Sequence, residues 1–285
     1  MNPILALSDQ HSSSRGFTPT ASAGVQAFST LRLSIDEVQG LRKSIPTWAA
    51  ADTPGHFFKY SDEQTIVAVQ AVDRLIAEEA VDLDGGRDWG LIVAPRFIGR
   101  LAGAAIRDRF QQRGDQGVSP HTLPQHSLHS PSGALSILLG TRGPNAGIGG
   151  GPGSFAEGVL AALTLFDLNT IPGVWFVATE WDPEPLPNAQ GVCTTPAVCH
   201  AFCMLLRPAA SRGLIGQLAL RVSKDGPAVA TEHGPTKEIR VGQLIHALDI
   251  ASQRSMSLGF EWQMPWGGRI EMHLDAAGDC REAAA

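Results

Sequence analysis

"GPNAGIGGGPGSFAEG", residues 143–158, is a glycine-dense loop that runs directly into the apolar, helix-forming segment "FAEGVLAALTLFDL". Such a junction offers free backbone N–H groups at the positive end of a helix dipole, which suits a phosphate, a carboxylate or a thiolate. Yet no Lys, Cys or His stands there, only Pro152, Gly153 and Ser154. The P-loop pattern fails because no Gly-Lys-Ser/Thr follows. The dinucleotide spacing counted from Gly149 arrives at Ser154 where its third glycine belongs. The nucleophile elbow fails as well, since Pro152 and Ala156 flank Ser154 in place of glycines. Read structurally, Gly149, Gly150, Gly151 and Gly153 form a turn that lets a buried helix approach a sheet. Pro152 suits a first helical turn and Ser154 a helix cap.

Outward from this loop the chain reads as alternating helices and strands. "SDEQTIVAVQAVDRLIAEEA" has helical period, with Ser61 as N-cap and Gln64 three residues on. "WGLIVAP" reads as a buried strand, and "RFIGRLAGAAIRDRFQQRG" as a helix stopped by Gly114. "ALSILLG" is an apolar stretch, "GVWFVATEWD" reads as a strand buried on both faces, and the helix after Ser154 as deeply buried. "AVCHAFCMLLR" and "IGQLALRVS" follow as strands. "TKEIRVGQLIHALDIASQR" is a last helix and "SLGFEWQMPWGGRIEMHLD" a hairpin. Residues 1–24 are rich in Ser, Thr and Gly and read as loosely ordered, leaving 25–285 as one domain. The pattern predicts an α/β fold, a mixed sheet covered by helices.

Composition narrows the function. The 285 residues carry a net charge of −6, which speaks against nucleic acid or an anionic membrane as partner. No apolar run approaches the ~18–20 residues of a membrane span. The opening "MNPILALSDQHSSSRG" reads poorly as a signal peptide, which points to the cytoplasm. The four cysteines form no disulfide framework, and Cys199 and Cys203 read as small buried strand residues. His126 and His129 share a loop with His121, but no HExxH or CxxC accompanies them, so no metal and no cofactor is expected. Arg96, Arg100 and Arg107 fall at spacings that share a helix face, an ordinary solvated surface.

The run "VSPHTLPQHSLHSPSGALSILLGTRGPNAGIGGGPGSFAEGVLAALTLF" resembles the β-ketoacyl synthases of fatty-acid and polyketide assembly. It has their order: Ser-Pro at 119–120, a proline-containing loop, Gly133, a short strand, Gly-Pro at 143–144, the glycine approach and the nucleophile helix. The resemblance spans roughly residues 55–225 and implies a thiolase-like fold. Counted from Gly143–Pro144, the position of the family's catalytic cysteine falls on Pro152, which has no nucleophile. His129 stands where many members have Asn. The family's catalytic histidines belong to a second half of the fold for which this sequence has only a shortened counterpart.

That combination is similar to the short ketosynthase-like proteins called chain-length factors, known from aryl-polyene-type and related type II clusters. The resemblance implies no catalytic residue of its own and a heterodimer with an active β-ketoacyl synthase subunit. That partner condenses acyl-carrier-protein substrates while the factor shapes the tunnel receiving the chain. It assigns Phe97, Ile98, Arg100 and Leu101, at the start of the second helix, and the 121–133 loop with His126 and His129, to tunnel and interface. The competing reading is a hydrolase or acyltransferase in which Ser154 attacks with His126 or His129 as base. That requires hydrogen-bond reach between them.

Overall fold

The computed structural model describes residues 17–49, 53–79, 81, 86–120, 122–167, 171–186, 196–223, 240–264 and 268–275. Its centre is one eight-stranded sheet. The strands in chain order are β1 (Phe17–Ser34), β2 (Gly90–Pro95), β3 (Asn145–Gly147), β4 (Val174–Asp182), β5 (Val198–Pro208), β6 (Gly216–Ser223), β7 (Leu258–Gln263) and β8 (Gly268–Leu274). Across the sheet they run β3-β2-β4-β5-β1-β6-β8-β7. β2 is parallel to both β3 and β4, and every other pairing is antiparallel.

Side-chain alternation divides the interior into two cores, one on each face. Along β4, Val174, Phe176 and Ala178 face one core while Trp175, Val177 and Trp181 face the other. β5 repeats this with Phe202, Met204 and Leu206 against Cys199, Ala201, Cys203 and Leu205. The second face is covered by helix α2 (Glu63–Glu79), the short α1 (Ile35–Gly40) and α5 (Ser130–Leu139). The first is covered by α6 (Ser154–Asp167) and α7 (Val241–Arg254). The β6-β8-β7 end is apolar on one face only: Leu218, Leu220, Ile270, Met272 and Trp262 join the first core, while Arg221, Glu261, Arg269 and Glu271 pair on the other.

The mixed sheet with helices on both faces agrees with the sequence reading, and so do the strands 174–182, 198–208 and 216–223 and the terminal hairpin. Several local expectations are corrected. Residues 17–24 are not loose: they pair with β6 as the start of β1. The stretch "ALSILLG" is not a strand but the body of α5. Pro131, Leu135, Leu138 and Leu139 recur at helical spacing on its buried side, and Gly140 closes it with φ 63°. The cap of α2 is Asp62 rather than Ser61, because Asp62 Oδ1 accepts the Gln64 N–H at 2.9 Å. The second helix, α3 (Arg100–Arg113), starts later than its pattern suggested, so Phe97 and Ile98 lie in the turn before it. α6 is buried on one side only, with Glu157 and Thr164 exposed. Residues 1–16 and 224–239 lie outside the described residues.

Candidate functional site

Four segments meet where the parallel strands β2 and β4 end, the edge of an α/β sheet where clefts form. They are the first turn of α2, the turn Arg96–Gly99, the loop around His126, and Trp181–Leu186, which covers the end of β4 and the segment after it. The cleft is lined by Asp62, Gln64, Arg96, Phe97, Arg100 and Leu101, with Trp181, Glu184 and Leu186 opposite.

Phe97 stands at its mouth with φ 54°, left-handed backbone that a bulky residue adopts only when its surroundings hold it there. The Arg100 guanidinium lies 3.5 Å from the Phe97 ring centroid and that of Arg96 4.6 Å away. Glu184 pairs with Arg100 and lies 3.9 Å from Arg96. A carboxylate between two guanidiniums, with an aromatic face beneath them, gives a wall that is charged outside and apolar inside. Arg96 precedes the helix, so the expected three-arginine face is not formed; Arg96 and Arg100 line the cleft, and Arg107, two turns along α3, pairs with its neighbour Asp108.

The glycine loop joins this cleft from the other side. After β3, Ile148 N–H donates to Val93 O at 2.8 Å, and Phe97 N–H donates to Gly150 O at 3.2 Å. Gly149 and Gly150 have φ of 85° and 88°, which glycine alone adopts without cost. A Cβ on Gly149 would also stand 2.6 Å from Ser154. Pro152 and Gly153 are exposed at the tip. Glu157 N–H donates to Gly153 O at 3.0 Å, so Gly153 is the cap of α6 and Ser154 the first residue inside it, correcting the expected Ser154 cap.

The histidines separate. His126 Nδ1 lies 3.0 Å from Asp62 Oδ2 beside the cleft. His129 is exposed, and its Nδ1 lies 3.0 Å from Ser132 Oγ, a hydroxyl that also donates to His129 O. Ser154 is 3% exposed, and among the described residues no hydrogen bond joins it to either histidine. The structure therefore places Phe97, Arg100 and Leu101 in the cleft lining, ties His126 to it through Asp62 and the glycine loop through Phe97, and leaves Ile98 and His129 outside the lining. Gln64 entered the sequence reading only as a capping partner of Ser61, and Asp62, Trp181 and Glu184 escaped it. Of these only Asp62 had a signal, its place beside a helix start in "SDEQ".

A glycine turn feeding a helix beside a mixed sheet, with the cleft at the ends of the parallel strands, is the thiolase-like arrangement of the β-ketoacyl synthases, and this chain has that fold. It is similar to a chain of the ketosynthase (ApeO) complex with its chain length factor (ApeC) from Xenorhabdus doucetiae. There the TM-score is 0.54 at 16% identity, over 88% of this chain and 98% of the other. A type II polyketide synthase complex of acyl-carrier protein and ketosynthase (AntDE:AntF) gives 0.59 at 12% identity, over 90% and 99%. The ishigamide ketosynthase/chain length factor gives 0.56 at 14% identity, over 90% and 100%. No protein-family model and no curated protein sequence matches the chain.

Proposed function

We propose that the chain is a catalytically silent ketosynthase-like subunit, a chain-length factor. It pairs with an active β-ketoacyl synthase and shapes the tunnel that receives the acyl chain. The observation that carries this reading is the nucleophile turn. Its two left-handed glycines and its helix entry are intact, while Pro152 occupies the position that the family resemblance gives to the cysteine. Acyl transfer needs a nucleophile; a turn kept without one serves shape.

Two surfaces support a partner. α3 has no buried residue and packs chiefly on the 3-10 turn that follows it, with Phe110 55% exposed. β3 is a sheet edge, paired on one side only, with Pro144 and Asn145 exposed. Both resemble surfaces that an obligate interface covers. In this reading the chain from β1 onward acts as one cytoplasmic domain. Phe97, Arg100, Leu101 and His126 border the tunnel. The partner performs the condensation in fatty-acid, polyketide or polyene assembly, and contact with acyl carrier protein comes through it.

Co-expression with a ketosynthase encoded beside this chain tests the reading. A one-to-one complex, condensing carrier-bound substrate only when both chains are present, is the expected result. A monomer that ignores the ketosynthase overturns it.

A further inference from the structure

The N-terminus of α2 reaches two of the loops around the cleft, the turn Arg96–Gly99 and the loop around His126. Asp62, 3% exposed, uses one oxygen to cap its own helix. Its other oxygen, Oδ2, accepts the Gly99 N–H at 3.2 Å and faces His126 Nδ1 at 3.0 Å. An acceptor-only carboxylate sets the imidazole tautomer: Nδ1 carries the proton and Nε2 is left as the acceptor. The Asp62 N–H in turn donates to Gln125 O at 3.4 Å. Gln64, 1% exposed, completes the grip: its Nε2 donates to Arg96 O at 3.0 Å and its Oε1 accepts from Thr179 Oγ1 at 2.8 Å.

These bonds hold the turn Arg96–Gly99 at both ends, Arg96 through Gln64 and Gly99 through Asp62. Between the two anchors Phe97 keeps its left-handed backbone at φ 54°. At Gly99, φ is 76°, and a Cβ there would collide with His126 O, so the two loops are pressed together at the point where Asp62 joins them.

We infer that Asp62 is the positioning residue of the cleft: by holding Gly99 and His126 on one carboxylate oxygen it fixes where Phe97 stands. The effect on products rests on the tunnel reading above; the positioning itself is a property of this chain alone. Asp62→Asn keeps the volume but offers one acceptor atom where three N–H groups compete, so at least one of them loses its partner.

The first arm of the test is amide exchange by NMR on the isolated protein. In Asp62→Asn the Gly99 amide exchanges about tenfold faster or more, the size of one lost charge-assisted hydrogen bond. The Phe97 ring signals move while the Val93 and Val177 amides in the sheet do not. The second arm uses the complex with a ketosynthase. Phe97→Ala shifts the product lengths, and Phe97→Ala/Asp62→Asn gives the same distribution as Phe97→Ala alone, because Asp62 acts through Phe97. A merely structural role makes the two effects add. Unchanged Gly99 exchange and Phe97 signals in folded Asp62→Asn overturn the inference. Should that variant not fold, His126→Ala, which removes one of the two groups held on Oδ2 and leaves the carboxylate in place, carries the Phe97 readout: its ring signals move while the sheet amides do not, and unmoved Phe97 signals overturn the inference. If no ketosynthase pairs with the chain, the proposed function falls and the exchange arm still decides this inference.

Discussion

Glu180 and His200 face each other across β4 and β5, beneath the first turn of α7. Glu180, 1% exposed, accepts the Gly242 N–H at 2.9 Å and so holds the positive end of that helix. Burial raises its pKa above the ordinary carboxylate value, against the lowering effect of the Gly242 N–H and of Arg240. His200 shifts the other way: burial lowers it, Asp182 opposes this, and Arg32 and Arg240 add to the lowering. Its Nδ1 is buried with no hydrogen-bond partner among the described residues. The folded protein therefore keeps His200 neutral at a pH where the unfolded chain, titrating near its ordinary value, already takes up the proton. The contribution of His200 to stability falls as pH drops from about 6.5 to its lower folded value and flattens below that, while the raised pKa of Glu180 acts in the opposite sense. Urea unfolding between pH 7.5 and pH 5 measures the slope, and His200→Asn is expected to reduce it. At the same scale, the sequence showed the glycines, Pro152 and the position of Phe97. It did not show Asp62 as the hub, because Ser61 and Asp62 are both good caps and only the fold decides which one faces Gly99 and His126.

α6 sits close to the sheet because of Gly158, not only because of the glycines before it. A Cβ there would stand 2.6 Å from Ala94 Cβ and 2.9 Å from the Phe176 ring. Gly158→Ala gains helix propensity of about 0.5–1 kcal/mol. It also forces apart a packed helix–sheet contact, which costs about 1–3 kcal/mol. The second effect wins, so the variant should be less stable by about 1–2 kcal/mol in urea unfolding. α5 marks the limit of periodicity at this scale. Its apolar run is short enough to fit either a strand or a helix, and the deciding residue, Pro131, lies four positions before Leu135, outside the run. The long strands were easier to recognise, since a sheet buried on both faces leaves β4 and β5 almost uninterrupted apolar sequence.

At the scale of the molecule, two cores back to back on one sheet supply the body, and α3 stands outside both except where Leu101 leans on the second. Changing the outer part of α3 should leave folding untouched and affect association alone. Phe110→Glu is expected to alter the stability of the isolated chain by no more than about 0.5 kcal/mol. On the function proposed above, it also abolishes co-purification with a ketosynthase, and with it the rise in melting temperature that binding confers. A fall in intrinsic stability with pairing retained would place Phe110 in the fold instead. Nothing in the sequence marked α3 as uncovered, for its mixture of alanine, isoleucine and arginine is that of many helices half-buried on their own domain.

β1 is the first strand of the chain and lies in the interior of the sheet. Phe17–Val25 pairs with β6, while Ala23–Ser34 pairs with β5. Both neighbours are translated long after it, so until they emerge this strand stands with neither edge filled. The distance from Ser34 to the end of β6 at Ser223 corresponds to roughly 10–40 s of translation. Through that interval an 18-residue strand waits as a nascent chain. Its first fixed contacts must come from local elements such as α1 and α2. The centre of the sheet closes only once β5 and β6 have both emerged, long after β1.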